Sequence, residues 1–299
     1  MKNNMFVGII FVFITAIFWD VLGAVISHSA QKKLNLGFIQ GAGMIVLFFL
    51  ALPAYFIAKN SVPLPVLLTV PLCGVTNYAT FLLMNKAMQR GHNGLTWAMV
   101  QSAFILPFLM GILFFHQKCS KTMVAGIFIL LLSMLLMGFY GKGGSRKENG
   151  KNYLWLLYTL GGFLAAGIGQ CTANIPSYFL QENPNNLLTV FSRTGLSALG
   201  TFAAFLLHGM MNRKIYDGHN CLKSSLVMSL ATLLVLFFTF FSLDILAANN
   251  AGTIAYPMLV GVSIVLFFLY NAIRLKEKLS FPALCGVVLC LTGIVVIAI

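Results

Sequence analysis

The stretch Arg274-Leu275-Lys276-Glu277-Lys278-Leu279-Ser280 separates two apolar runs, about 253–272 and 281–299. This pattern predicts a charged hairpin between two helices. A shift of 160 positions (278 − 118) places Lys278 on Lys118, inside the earlier hairpin His116-Gln117-Lys118-Cys119-Ser120-Lys121. The hairpin unit therefore occurs twice, and repetition within one chain indicates a duplicated architecture.

The composition predicts a membrane protein with several spans. Hydrophobic residues make up 59% of the chain and charged residues only 8%, whereas a typical globular domain has about 25% charged residues. A soluble domain could not bury this much apolar surface. The net charge is +13, but the basic residues lie between the apolar runs. That distribution is typical of membrane anchoring and excludes a nucleic-acid partner.

Ten apolar runs are each long enough for a transmembrane helix, which needs about 20 residues. The sequence therefore predicts an all-α membrane protein with ten transmembrane helices. The predicted spans are 5–27, 36–58, 65–86, 93–115, 122–141, 153–178, 187–209, 224–246, 252–273 and 280–299.

A polar, glycine-rich stretch at 142–152 divides these runs into two sets of five, in segments 1–141 and 153–299. A shift of 150 positions (170 − 20) places the first span on the sixth, with Asp20 on Gln170. An odd number of crossings gives two similar halves opposite orientations in the membrane. The sequence therefore predicts an inverted repeat of two five-helix halves, as in many secondary transporters.

The orientation in the membrane stays open. With a cytoplasmic N-terminus, the linker cluster and the basic hairpin at 274–280 would lie outside, whereas Lys59, Lys118 and Lys121 would lie inside. The positive-inside rule favours the reverse arrangement, with both termini outside.

The closing pattern carries a family resemblance. It comprises Thr253-Ile-Ala-Tyr-Pro257, then Leu275-Lys-Glu-Lys-Leu-Ser280, then Gly286 and Gly293. With the ten-helix plan, it resembles the drug/metabolite transporter superfamily, in particular its EamA-like members. The first hairpin departs from the pattern, because Gln117 stands where the second hairpin has Glu277. The resemblance implies carriage of small metabolites and cytoplasmic termini, and it leaves the substrate open.

Two ionisable residues inside predicted spans are the sharpest site candidates, because charge in hydrocarbon is costly. Asp20 could exchange a proton near neutral pH or bind a cationic group; alternatively, it pairs with a neighbouring helix. Arg193 could hold a carboxylate or a phosphate, or its side chain could extend to the headgroups. An Asp20–Arg193 pair is a further alternative. Asp244, by contrast, is interpreted as a helix cap before the ninth span.

Uncharged polar residues complete the predicted substrate site. Gln170 and Asn174 are four residues apart and share a helix face, as do Trp97 and Gln101. Trp97 and Tyr256 could stack on a ligand or belong to the interfacial aromatic belt. The predicted substrate-binding residues are Asp20, Asn77, Tyr78, Trp97, Gln101, Gln170, Asn174, Arg193 and Tyr256.

The sequence contains no signature of an enzyme or a cofactor site: it lacks G-x-S-x-G, H-E-x-x-H, a Walker loop and CxxC. The prediction is a secondary transporter, without a cofactor, in a bacterial inner membrane. It would move a small polar metabolite, such as an amino acid, by alternating access, with proton coupling as an option. The alternatives are a sugar or polyol uptake carrier, a channel, or a non-transport membrane protein. The partners are the lipid bilayer and the substrate, and the protein is a monomer or a homodimer.

Overall fold

The computed structural model of the protein describes residues 2–58, 64–91, 93–140, 153–179, 187–218, 221–274 and 281–298. The predicted linker 142–152 and most of the hairpin 274–280 lie outside these residues. Every described element is helical. The helices are α1 (Lys2–Lys32), α2 (Leu36–Ala58), α3 (Leu64–Met88), α4 (Asn93–Gln101), α5 (Ile105–Leu113), α6 (Lys121–Tyr140), α7 (Tyr153–Phe179), α8 (Leu187–Met211), α9 (Leu222–Ala248), α10 (Ala255–Arg274) and α11 (Phe281–Ala298).

Each predicted span coincides with a helix, and the fourth is divided. Its two parts, α4 and α5, are joined by one 3₁₀ turn, Ser102–Phe104. A second 3₁₀ turn, Gly252–Ile254, leads into α10. We refer to α1–α6 as the N-terminal segment and to α7–α11 as the C-terminal segment.

The bundle is built for a membrane. Seven helical stretches in the described residues are long and apolar enough to cross a bilayer, and three shorter apolar helices accompany them. Large apolar side chains point outward along the bundle, among them Ile17, Phe49, Phe128 and Val288. Exposed apolar surface of this extent requires a lipid environment. The protein is therefore an integral membrane protein.

The helix contacts interleave the two segments. Helix α1 packs on α9, and α7 packs on α3; likewise α2 packs on α9, and α8 on α3. Helix α1 also contacts α10, while α7 contacts α4 and α5. The pairs α2–α8 and α6–α11 join the segments directly. Exchanging the first five spans with the last five, in order, therefore maps the α2–α8 and α6–α11 pairs onto themselves and each of the other contacts onto a second one.

Small residues allow the closest crossings between the segments. A side chain at Gly74 or Gly200 would collide with the backbone of the facing helix, at Ser197 and Pro71 respectively. Thr201 Oγ1 donates a hydrogen bond of 2.9 Å to the Gly74 carbonyl. Where α2 meets α9, Ser225 Oγ similarly donates to the Ile39 carbonyl at 2.8 Å. Close backbone contact and hydroxyl donors are the usual means of helix association in lipid.

One end of the bundle is strongly basic. Here Asn35, before α2, lies 2.8 Å through its Nδ2 from the Ile215 carbonyl of the loop before α9. The first turns of α7 and α4 are joined by a 2.9 Å hydrogen bond from Trp155 Nε1 to Thr96 Oγ1. Among the residues that the structure describes, eight basic ones and Asp217 belong to this end, whereas Lys118 and Lys121 are at the other end. The eight basic residues are Lys32, Lys33, Lys86, Arg90, Arg213, Lys214, Lys223 and Arg274.

Candidate functional site

A small cavity lies between the two segments. It has about 20 Å³ of room for the centre of a water molecule, which is enough for roughly one or two waters. Helices α1, α2 and α3 form one side, and α8 and α9 form the other. The lining residues are Trp19, Leu22, Gln40, Met44, Asn77, Phe81, Ser197, Thr201, Met228, Thr232, Val235 and Leu236.

Three of the lining residues carry buried polar atoms that have no partner within the part of the chain that the structure describes. They are Trp19 Nε1, Gln40 Nε2 and Thr232 Oγ1. Gln40 is only 2% exposed, so bulk water does not satisfy its amide. A buried polar group without a partner costs about 1–3 kcal/mol. Three such groups around one cavity indicate a place for a bound molecule or ordered water.

The cavity occupies a definite level along α8. Arg193, Ser197, Thr201 and Phe205 recur every four residues, so they lie on one helix face about 6 Å apart along the axis. Ser197 and Thr201 line the cavity. Phe205 therefore lies one turn towards the basic end, and Arg193 lies one turn in the opposite direction.

A folded loop packs on the bundle at the basic end, about one helical turn from the cavity. The 3₁₀ turn Arg213–Tyr216 carries the buried side chain of Ile215 into a cluster with Tyr78 and Phe205. A Cβ at Gly37 would collide with Ile215, so the side chain fills the gap between α2, α3 and α8. We name this cluster of Tyr78, Phe205 and Ile215 the aromatic seal.

Hydrogen bonds hold the aromatic seal in place. The Asn35 side-chain amide faces the carbonyls of Lys214, Ile215 and Asp217 at 3.1, 2.8 and 3.3 Å. Asn35 Oδ1 also accepts from the Phe38 amide at 3.1 Å, which caps α2. Within the seal, Tyr78 Oη lies 3.0 Å from His208 Nδ1. The loop therefore rests on contacts from both segments.

On the other side of the cavity, Arg193 is fully buried in an ion pair within the C-terminal segment. Its Nη1 lies 2.6 Å from Asp244 Oδ1. Its Nη2 donates to Ser177 Oγ at 2.9 Å and to the Ala173 carbonyl at 3.3 Å. The guanidinium also lies 4.3 Å from the centre of the Phe240 ring, a favourable cation–π contact. Arg193 thus joins α7, α8 and α9.

This arrangement corrects three of the sequence interpretations. Arg193 does not extend to the headgroups, because its side chain is 0% exposed. It pairs with Asp244 and not with Asp20. Asp244 is not a cap, because α9 continues to Ala248 and Asn249 occupies the C-cap position.

Asp20 makes a different contact, between the two segments. Its Oδ1 accepts a hydrogen bond of 2.9 Å from Ser263 Oγ on α10. Its Oδ2 is buried without a partner. One turn further along α1, Gly23 leaves room for Trp97 and Phe267, whose rings stack at 4.7 Å. Asp20 is next to the cavity-lining Trp19 in sequence and faces α10.

The remaining predicted site residues are distributed over several levels of the bundle. Asn77 lines the cavity, and Tyr78 belongs to the aromatic seal. Trp97 and Tyr256 are 1% and 4% exposed, so they are core residues and do not form a lipid-facing belt. Gln101, Gln170 and Asn174 are buried but do not line the cavity.

Asn174 and Gln170 belong to a polar region beside the ion pair. Asn174 Nδ2 lies 3.2 Å from Tyr178 Oη, and Tyr178 stacks on Phe115 at 4.1 Å. The side-chain amide oxygens of Gln170 and Asn174 have no partner in the described residues. This region closes the bundle at the end opposite the aromatic seal.

Sequence reasoning named one of the twelve lining residues, Asn77, and the polar ones that it missed were Trp19, Gln40, Ser197, Thr201 and Thr232. One signal was available: Arg193, Ser197 and Thr201 form a polar stripe at four-residue spacing within an apolar run. Ser225, Ser229 and Thr232 form a second polar stripe at helical spacing, whereas Gln40 carries no such pattern, since Tyr55 is the only other polar side chain of its run.

Comparison with known proteins supports the fold. No protein-family model and no curated protein matches the chain. A solved structure described only as "Crystal structure of protein" is similar to it, with a TM-score of 0.68 and 14% sequence identity. The similarity covers 97% of this chain and 95% of that one. The helical arrangement is therefore shared along nearly the full length of both chains.

Proposed function

We propose that the protein is a secondary transporter that carries a small polar metabolite across a bacterial inner membrane by alternating access. The observation that carries the proposal is the cavity between the two segments, with polar atoms that have no partner among the described residues. Its position between segments is that of a substrate site in transporters built from repeats. The candidate substrate classes are amino acids and related compounds, and sugars or polyols.

The exchange pattern of the helix contacts supports an inverted repeat of two five-helix halves. A carrier of this kind needs two bodies that rock against each other around a central site. The predicted ten crossings and the EamA-like closing pattern agree with that arrangement. The charge difference between the ends favours a cytoplasmic location for the basic end.

In this proposal the aromatic seal is the gate that moves at the basic end. In the present conformation the loop around Ile215 blocks the route from the basic end to the cavity. Opening towards that end requires Ile215 to leave Tyr78 and Phe205. Opening towards the other end requires the region around Tyr178 and Phe115 to separate.

Cysteine accessibility tests alternating access without a known substrate. Asn77→Cys places a thiol in the cavity, in a Cys119→Ser background that removes the exposed native thiol. A membrane-impermeant thiol reagent is added to either side of sealed vesicles. A carrier exposes the new thiol to each side in turn and passes no ionic current. The buried Cys290 serves as the unlabelled control.

Two outcomes would contradict the proposal. Labelling from one side only, under every condition tested, would mean that the cavity does not alternate. Rapid labelling from both sides together with an ionic current would identify a channel. Asp20→Asn tests the driving force separately, because a proton-coupled carrier that depends on Asp20 loses its response to an imposed pH gradient.

A further inference from the structure

We infer that the cavity between Trp19, Gln40 and Thr232, which has room for only about one or two waters in the present conformation, widens during transport to bind an uncharged molecule that offers at least two hydrogen-bond acceptors. This inference rests on the proposed transport function, because it names the substrate class of the same site. It also selects among the metabolite classes left open above.

The first observation is that the described side chains around the cavity carry no charge. None of the twelve lining residues is ionisable. The nearest charge along α8 is Arg193, which Asp244 already neutralises at 2.6 Å. Asp20 is not one of the lining residues, and one of its oxygens accepts a hydrogen bond from Ser263. An ionised ligand group would therefore enter the cavity without a counter-charge, which is strongly unfavourable in a low-dielectric site.

The second observation concerns the buried polar atoms of Trp19, Gln40 and Thr232, which have no partner among the described residues. The indole nitrogen of Trp19 can only donate a hydrogen bond, and Gln40 Nε2 also donates. The Thr232 hydroxyl can donate or accept. Because neither nitrogen has a protein acceptor, the complementary ligand presents carbonyl oxygens, hydroxyl oxygens or ring nitrogens to them.

The third observation is that much of the cavity lining is apolar. The rings of Trp19 and Phe81 meet edge to face, with centres 6.5 Å apart. Leu22, Met44 and Met228 complete the apolar surface. Such walls suit a ligand with one apolar face and a few acceptors, which is the usual composition of a small-molecule site. A zwitterionic amino acid fits this lining less well than a sugar, a nucleoside or a neutral amide.

Matched probe sets test the charge requirement in the detergent-purified full chain. The sets are glucose with glucosamine and glucose 6-phosphate, uridine with uridine monophosphate, and N-acetylphenylalaninamide with phenylalanine. Binding is measured as a change in tryptophan fluorescence and as a shift in melting temperature. We expect at least one neutral probe to bind more tightly than its charged counterparts, with a fluorescence change that Trp19→Phe abolishes.

Two substitutions test the hydrogen bonds. We expect Gln40→Leu and the nearly isosteric Thr232→Val to weaken binding of the neutral probe by roughly 3- to 10-fold each, because each removes one hydrogen bond. Gln117→Leu is the matched control, since Gln117 is a buried amide with a partnerless oxygen at the other end of the bundle. Thr232→Val keeps the test decisive if Gln40→Leu fails to fold.

The results separate this inference from the proposed function. Tighter binding of charged probes, binding unaffected by both substitutions, or no binding of any neutral probe would overturn the inference. Uptake of a charged probe into vesicles, unaffected by Gln40→Leu, would overturn it and leave transport intact. Binding of neutral probes without alternating accessibility of Asn77→Cys would overturn transport and leave the binding site intact.

Discussion

Asp20 on α1 and Asp244 on α9 carry carboxylates with different surroundings. Asp244 forms an ion pair with Arg193, and both residues belong to the C-terminal segment. Asp20 accepts one hydrogen bond from Ser263 in the other segment, and its second oxygen has no partner. A contact within one segment holds that segment together, whereas a contact between the two segments must change when the segments move. A rocking motion can preserve the Arg193–Asp244 pair, whereas the Asp20–Ser263 bond lies where the segments meet.

The largest expected effect comes from breaking the contact within one segment. Arg193→Met leaves Asp244 buried without its counter-ion, which should cost roughly 3–5 kcal/mol of unfolding free energy. Arg193→Met combined with Asp244→Leu should recover much of that loss, because neither partner then carries a buried charge. Unfolding in mixed detergent measures both variants. Equal losses in the single and the double variant would show that the ion pair is not the stabilising contact.

A smaller effect is expected from a contact between the segments. Asn35→Ala removes the cap of α2 and the bonds to the loop at 214–217, and should cost about 1–2 kcal/mol. It should also loosen the aromatic seal. Alkylation of the buried Cys73, located by mass spectrometry, should then become faster. Cys290 should show no change, and unchanged labelling of both thiols would mean that Asn35 does not hold the seal.

Asp20→Asn tests directly whether the carboxylates of Asp20 and Asp244 differ in their contribution to stability. The amide keeps the shape of the carboxyl and an oxygen for Ser263, so the expected cost is at most about 1 kcal/mol. Asp244→Asn, the same chemical change, should cost several times more because it leaves Arg193 unpaired. Equal costs in thermal unfolding would remove the distinction between the two carboxylates.

The smallest effect on stability should come from removing the hydroxyls of Ser263 and Ser177, which are hydrogen-bonded to Asp20 and Arg193. Ser263→Ala and Ser177→Ala each remove one hydroxyl donor or acceptor, and hydrogen bonds between membrane helices average about 0.6 kcal/mol. Ser177→Ala should leave transport intact, since Arg193 keeps Asp244. Ser263→Ala should change the transport rate, because its bond crosses between segments. The same transport rate in both variants would contradict this assignment.

Part of the site could be predicted from the sequence. Asn77 was predicted, and it lines the cavity. The buried positions of Trp97, Gln170 and Asn174 follow from the cost of exposing polar groups to lipid. Asp244 was misread because it lies close to a loop in sequence, and an acidic residue near a helix end is commonly a cap. The helix continues beyond it, so its partner had to be sought inside the bundle.

The sequence by itself determined that the chain forms apolar helices in a membrane and that a few of them carry buried polar groups. Those properties depend on local composition, because in lipid every backbone group must be paired within a helix. Only the tertiary structure decided that Arg193 pairs with Asp244 and that Trp19, Gln40 and Thr232 meet around one cavity. These partners lie on different helices, far apart in the chain. Which faces meet depends on close crossings such as Gly74 against Ser197, where the absence of a side chain brings two backbones together.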